Sequence, residues 1–407
     1  MASQDIRTIA ITSYGHGLCH MAELAYSAVI PAVMVEYAIE APQAAALGIP
    51  GIMMFGMAAP IAGMWADRRG YREAFLGYYL LVAITATFVA VAPRSPSVLM
   101  VGLTLLGISI SIYHPVGMAM LSHCGNTGRA MGINGVAGSI GIAVGPAFAI
   151  LVGAWRWTYG LIACCAVAGF VMTLFSQNND SQLAESKADE KSRLEGNDAA
   201  SQRNHAAILI TLLFLAVAIG GFNYRNLMTA LPSFLNGSTV APVADEVARG
   251  SAKGALAVFV VLAMGGVGQI VGGYLADRFV PSRLYVGTIL CSVPAAFMLS
   301  RSSGAMSAVF ASMLSVFMFA QQPLENTIIA NVTPPRLRST VYGLKFILAF
   351  GVASSGMYVA GRIWRDFGIQ QVFAFFALMA MLMSALALIF AIAYSRLQRD
   401  SIQLKQS

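Results

Sequence analysis

Long apolar runs separated by short polar gaps recur from one end of this chain to the other. Each run is about 20 residues or longer, the length an α-helix needs to cross the hydrocarbon core of a bilayer. The pattern predicts twelve membrane-spanning helices, over residues 9–35, 43–66, 73–92, 97–122, 129–153, 157–176, 206–235, 251–276, 284–300, 305–329, 339–361 and 369–395. The gaps are mostly a few residues long, as expected between antiparallel neighbours in a bundle. One gap differs. Residues 177–204 are polar, charged and without apolar periodicity, which reads as a flexible cytoplasmic linker. It divides the chain into an N-terminal six-helix bundle, residues 1–176, and a C-terminal one, residues 205–407.

The two halves echo each other. "GMWADRRGYR" after the second span returns as "GYLADRFVPSR" after the eighth, and "YHPVGM" in the fourth as "QQPLEN" in the tenth. Asp67 and Asp277 lie 210 positions apart, Pro115 and Pro323 208, and Pro31 and Pro232 201. Matches in one order at a near-constant offset indicate a duplicated six-helix unit. Parallel repeats of this kind suggest alternating access around a site near the membrane midplane.

Composition agrees. Apolar residues make up 57% of the chain and charged ones 11%, against about 25% charged in a soluble domain. The net charge of +7 does not point to nucleic acid, because the basic residues sit in the short gaps. With the N-terminus inside, sixteen lysines and arginines fall in inside segments and seven in outside ones. That positive-inside bias predicts that both termini are cytoplasmic. The start, "MASQDIRT", lacks a signal-peptide cleavage region, so the first helix is expected to remain as a span. The five cysteines show no C-x-x-C spacing and read as small packing residues.

Ionisable groups inside the spans are the candidates for chemistry, since each costs about 2.5 kcal/mol or more if it faces lipid. In the first span, His16, Cys19, His20 and Glu23 follow i, i+3, i+4, i+7 and so share one helical face, predicted to face the bundle interior. Glu23 and Glu325 are the acids placed well inside spans, and burial suits such a carboxylate to carry a proton. Glu23 is the first candidate carrier, with His20 or His114 as relay. Arg225 needs an anionic substrate or an internal partner such as Glu325, and Gln321, Gln322, Asn223 and Asn226 add hydrogen-bonding groups. Lys345 lies near a span end and is expected to snorkel outwards, and His123 to be solvated. A second reading of the first-span stripe is a transition-metal site from His16, Cys19 and His20; a third is structural polar packing. In the fifth span, Gly141 and Gly145 allow close helix approach, and Pro146 is expected to bend the helix.

Gly63, Asp67, Arg68, Gly70 and Arg72 resemble the loop 2–3 signature of the major facilitator superfamily, and Gly273, Asp277, Arg278 and Arg283 repeat it with Val280 in place of the later glycine. "GSIGIAVGP" in the fifth span resembles that superfamily's antiporter motif, although the arginine common in the fourth span of its proton antiporters is replaced within "VGLTLLG". "IYHPVGMAMLS" and "HMAELAYSAVIP" resemble the fosmidomycin-resistance group of exporters, with Tyr113 where that group has Phe. The resemblance implies an all-α polytopic fold of two six-helix halves and a cytoplasmic gate at the two loop signatures. In that gate Asp67 and Asp277 each cap a helix N-terminus or pair with arginines. It also implies a proton-coupled exporter of a small polar or anionic compound, monomeric, in a bacterial inner membrane and without cofactor. The alternative reading is a carrier of a transition-metal ion or chelate. An enzyme is not expected, because no nucleotide loop, nucleophile–base set or extramembrane domain is visible.

Overall fold

The computed structural model describes residues 3–151, 154–175, 199–235, 252–351, 353 and 355–406, and among these there is no strand. The predicted linker falls outside the described residues, except for 199–204, where a helix has already begun. The helices are α1 (Ser3–Tyr37), α2 (Ala41–Met57), α3 (Ala59–Arg69), α4 (Tyr71–Val91), α5 (Pro96–Ile110), α6 (Tyr113–Leu121), α7 (Thr127–Leu151) and α8 (Trp155–Leu174). They continue as α9 (Ala199–Leu235), α10 (Ala252–Ala276), α11 (Pro281–Arg301), α12 (Ala305–Val332), α13 (Arg338–Phe346), α14 (Ser355–Phe367) and α15 (Ile369–Gln406). Among the described residues, ten spans are long and apolar enough to cross a membrane, or eleven with the bent pair α2–α3. Helix α7 supplies the remaining segment of the predicted twelve.

Three predicted spans are interrupted, and proline accounts for two of the breaks. The second span bends by 40° between α2 and α3, where Pro60 has no N–H to give the preceding turn. The fourth parts into α5 and α6 at Ser111–Ile112, because Pro115 cannot donate to the carbonyl of Ser111. That break sits just ahead of His114. The eleventh runs through a 3-10 turn (Pro335–Leu337), α13, a π-helical turn (Ile347–Gly351) and α14.

The chain gathers into two compact units: residues 1–190 with 334–347, and residues 191–333 with 348–407. Segment 334–347 thus packs with the N-terminal helices despite its late position in the chain. In the first unit, buried Tyr71, Phe75, Tyr78, Tyr79 and Tyr113 form an aromatic core, while Leu80, Leu81, Ile84 and Phe88 of α4 point outward as lipid-facing positions should. The buried phenols are not idle: Tyr78 donates to the Gly15 carbonyl at 2.9 Å, Tyr79 to that of Ile11 at 3.2 Å, and Tyr14 to that of Cys165 at 2.8 Å. These bonds clamp α1 to α4 and α8. At the far end of α1, Glu36 accepts from Trp155 Nε1 at 2.7 Å and Arg156 Nη2 at 2.8 Å, and Arg156 Nη1 reaches the Ala92 carbonyl at 2.8 Å. In the second unit, Leu227, Leu231, Leu299, Leu314, Phe373 and Phe376 lead a core built from α9, α11, α12 and α15.

Candidate functional site

Helix α1 turns its polar stripe inward. His16 and His20 are buried, Cys19 is fully so, and the side chains of His20 and Glu23 are 11% and 9% exposed. The break at Ser111–Ile112 and the start of α6 bring His114 to the same place. Its ring centroid lies 5.2 Å from that of His16 and 5.1 Å from that of His20. Cys19 Sγ is 3.9 Å from His114 Nδ1. Four of the seven predicted pathway residues, His16, His20, Glu23 and His114, therefore form one cluster in the first unit.

The seat of His16 follows from one glycine. In α7 the carbonyl of Asn134 points along the helix toward Gly138. A Cβ at Gly138 would fall 2.5 Å from His16 Cε1, so the imidazole occupies the space a side chain would take. There His16 Nδ1 meets the Asn134 carbonyl at 2.7 Å. Further along, a Cβ at Gly141 would run into the Gly17 carbonyl, and one at Gly145 would lie 2.9 Å from that of Met21. Helices α1 and α7 are thus in backbone contact along the predicted glycine stripe. Helix α7 runs unbroken past Pro146, whose side chain lies outside the described residues.

The partners set the protons. A carbonyl only accepts, so His16 Nδ1 carries a hydrogen, and in the neutral ring His16 Nε2 then bears a lone pair. His20 Nε2 stands 3.1 Å from that lone pair, and His20 Nδ1 stands 2.6 Å from Glu23 Oε2. Both contacts are hydrogen bonds when His20 and Glu23 together hold two hydrogens: one on Nε2 toward His16, and one between Nδ1 and the carboxyl. The second lies either on the carboxyl or on an imidazolium facing a carboxylate, a short charge-assisted pair. With one hydrogen fewer, His20 can serve Glu23 or His16 but not both. The hydrogen bonds of the chain Glu23–His20–His16–Asn134 thus depend on how many hydrogens its groups hold.

Asp67, at the end of α3, meets the N-terminus of α13. It accepts from Ser339 N at 3.1 Å, Thr340 N at 2.8 Å and Thr340 Oγ1 at 2.7 Å. Such a cap satisfies orphan amides and is worth about 0.5–2 kcal/mol. Small residues allow the approach: a Cβ at Gly63 would strike the Ser339 carbonyl, and one at Gly343 would lie 2.6 Å from that of Ala59. Gly70, at φ 105°, makes the sharp passage from α3 into α4 that L side chains resist. Arg68 is exposed, while Arg72 donates to the Leu174 carbonyl at 2.8 Å. In the second unit, Asp277 is half-buried, and Arg278 lies over the Tyr274 ring at 4.3 Å.

The remaining pathway candidates also belong to the second unit. Glu325 is buried and accepts from Tyr285 OH at 3.3 Å, and Gln322 accepts from Gln269 Nε2 at 3.1 Å. Arg225 does not pair with Glu325. Its guanidinium lies 5.3 Å from the Phe350 ring centroid, and its Nε has no hydrogen-bond partner among the described residues. Asn223 and Asn226, on the same helix, are buried, and neither amide atom of either has a hydrogen-bond partner among the described residues.

Two expectations are corrected. Lys345 does not snorkel: it is 6% exposed, because α13 packs into the first unit and carries it inward beside Phe346. His123 is not freely solvated but half-buried, 3.4 Å from Tyr71 OH. Burial, and then the Arg338 charge, push its pKa from 6.5 down to about 4. Asn134 was overlooked because its carbonyl, not its side chain, holds the histidine. Gly138 was legible only as packing.

The family model of the Major Facilitator Superfamily matches residues 12–356 and 213–405. The uncharacterized MFS-type transporter YfnC of Bacillus subtilis (strain 168) is 24% identical over 371 residues, spanning 85% of each chain. Among solved structures, the proton:xylose symporter XylE bound to 6-bromo-6-deoxy-D-glucose is similar with a TM-score of 0.73 at 12% identity, over 94% of this chain and 95% of that one. The human organic anion transporter MFSD10 (TETRAN) gives 0.70 at 16% identity, over 95% and 100%. The E. coli fucose:proton symporter FucP gives 0.72 at 15% identity, over 95% and 99%. At these identities the structural likenesses establish the fold.

Two outcomes are expected. Gly138→Ala should displace His16 from the Asn134 carbonyl and destabilise the protein by about 1–3 kcal/mol, the usual cost of overpacking; thermal unfolding of the purified protein in detergent reads this. The second concerns pH. The unfolded chain protonates His123 near 6.5 while the folded chain keeps it neutral to about 4, so stability falls as pH drops through that window. The melting temperature of His123→Gln should fall less over the same range than that of the wild type.

Proposed function

The chain belongs to the major facilitator superfamily, a family of membrane carriers and not of enzymes, and from that membership we propose a proton-coupled exporter of a small polar or anionic compound, working by alternating access. The observation that carries the coupling is the buried chain Glu23–His20–His16–Asn134, in which the count of hydrogen bonds changes with one proton. A carboxylate inside a span is costly, which makes it a functional candidate. Glu23 takes and releases the coupled proton, and His20 and His16 pass the change to α7. His114 lines the same cluster.

The export direction is supported by the sequence alone: the antiporter-like "GSIGIAVGP" and the two stretches similar to the fosmidomycin-resistance group. Arg225, lacking an internal counter-charge among the described residues, is suited to an anionic group of the substrate, with Gln322 and Glu325 further along the proposed pathway. The Asp67 clasp on Ser339 and Thr340 serves as the cytoplasmic gate. It ties a loop of the first repeat to a segment that follows the tenth span in sequence. Arg68, Gly70 and Arg72 belong to that gate, and Asp277 and Arg278 are the matching positions of the second loop signature. The positive-inside bias supports both termini lying in the cytoplasm; a monomer in a bacterial inner membrane is part of the same proposal and follows from the resemblance alone.

The test is reconstitution in sealed vesicles with an imposed pH gradient and a panel of labelled organic acids and polar antibiotics. Wild-type protein should move a substrate against the proton gradient, and a protonophore should abolish the movement. Glu23→Gln should retain substrate exchange while losing its dependence on the gradient. If that variant still transports in a gradient-driven way, Glu23 is not the coupling group.

A further inference from the structure

His16, His20 and His114 place one ligand-capable ring nitrogen each within 4.8 Å of one another, and all three rings are buried. Two of them are already held as metal-binding histidines are. His16 Nδ1 is engaged by the Asn134 carbonyl and His20 Nδ1 by Glu23, which fixes each ring and presents Nε2 inward. These Nε2 atoms stand 3.1 Å apart. Two nitrogens bound at about 2.0–2.1 Å to a tetrahedral ion stand about 3.3–3.4 Å apart. The His16 and His20 nitrogens thus already stand close to the separation such an ion requires, and a ring nitrogen of His114, within 4.8 Å of both, closes in to supply the third ligand.

The surroundings suit a dry, closed site. Tyr113 stacks on His16 at 4.9 Å between centroids, and Phe346 and Phe55 pack on His114 at 4.2 and 5.5 Å. Glu23 supplies negative charge through His20, and Lys345, on α13, is the positive charge nearby. Cys19 Sγ lies 3.9 Å from His114 Nδ1. Imidazole donors favour borderline divalent ions over calcium or magnesium, whose preference is for oxygen.

We propose that His16, His20 and His114 bind a single divalent transition-metal ion of the zinc or cobalt type, which replaces the hydrogen between the two Nε2 atoms. The N–H bond of His20 Nε2 breaks, a nitrogen–metal bond forms from each imidazole lone pair, and the displaced proton leaves to solvent. The site rests on this geometry and requires neither the export direction nor any particular substrate.

The experiment uses the full-length protein, purified in detergent and stripped with chelator, titrated with Zn2+ or Co2+ alone. Calorimetry should give one equivalent of Zn2+, and Co2+ should develop the intense visible absorption of a four-coordinate ion. His16→Gln and His114→Gln should each weaken binding tenfold or more while remaining monodisperse. Glu23→Gln should weaken it about 10–100-fold through His20, and His123→Gln, outside the cluster, should bind as the wild type does. Wild-type protein that takes up no stoichiometric metal overturns the site, as does binding that survives His16→Gln combined with His114→Gln. Failure here leaves the proton reading intact, since gradient-driven transport is measured without metal. Metal binding by a protein whose transport ignores the proton gradient removes the coupling role alone.

Discussion

One hydrogen bond organises the candidate site: the imidazole of His16 resting on the Asn134 carbonyl, in the space that Gly138 leaves empty. A helix carbonyl is normally screened by the side chain one turn on. Here that side chain is absent, so α7 offers α1 an acceptor at its surface. The acceptor fixes which nitrogen of His16 carries hydrogen, and that choice propagates to His20 and Glu23. The close contacts at Gly141 and Gly145 hold the two helices near enough for the bond to form. The phenols of Tyr78 and Tyr79 grip α1 at the Gly15 and Ile11 carbonyls. The chemistry of the cluster is thus a consequence of backbone packing, and a single methyl group at residue 138 is enough to disturb it.

The Asp67 clasp has the same logic at the end of α3. The α13 N-terminus exposes amides that have no partner within the helix, and the carboxylate satisfies two of them plus a hydroxyl. Gly63 and Gly343 remove the side chains that would keep the two backbones apart. The clasp draws α13 into the first unit, and with it Lys345 and the Phe346 ring that packs on His114. Histidine cluster and clasp are therefore joined through one short helix of nine residues. The second copy of the signature keeps Asp277 and Arg278, yet Arg278 spends its charge on the Tyr274 ring.

What could be read without coordinates follows from periodicity. Twelve apolar runs gave the helices, and the i, i+3, i+4, i+7 spacing put His16, Cys19, His20 and Glu23 on one inward face. The glycine run in the fifth span announced a close helix contact. The rest depends on contacts between distant residues. Nothing local says that His114 joins residues nearly a hundred positions earlier, or that Asn134 contributes its carbonyl and not its amide. The burial of Lys345 was missed for a related reason: depth along its own span looked shallow, but a neighbouring clasp pulled the helix inward. Pro60 and Pro115 were visible as residues, while the breaks they cause became meaningful only once His114 appeared behind one of them.

Nitrogen NMR of histidine-labelled protein in detergent reads directly where the hydrogens of the Glu23–His20–His16–Asn134 chain sit. Long-range proton–nitrogen correlations distinguish a ring protonated at Nδ1 from one protonated at Nε2. The account predicts that the His16 ring, assigned by its loss in His16→Gln, is neutral with its hydrogen on Nδ1. A His16 ring carrying its hydrogen on Nε2, with Nδ1 bare, would contradict the proposed proton chain at its anchor.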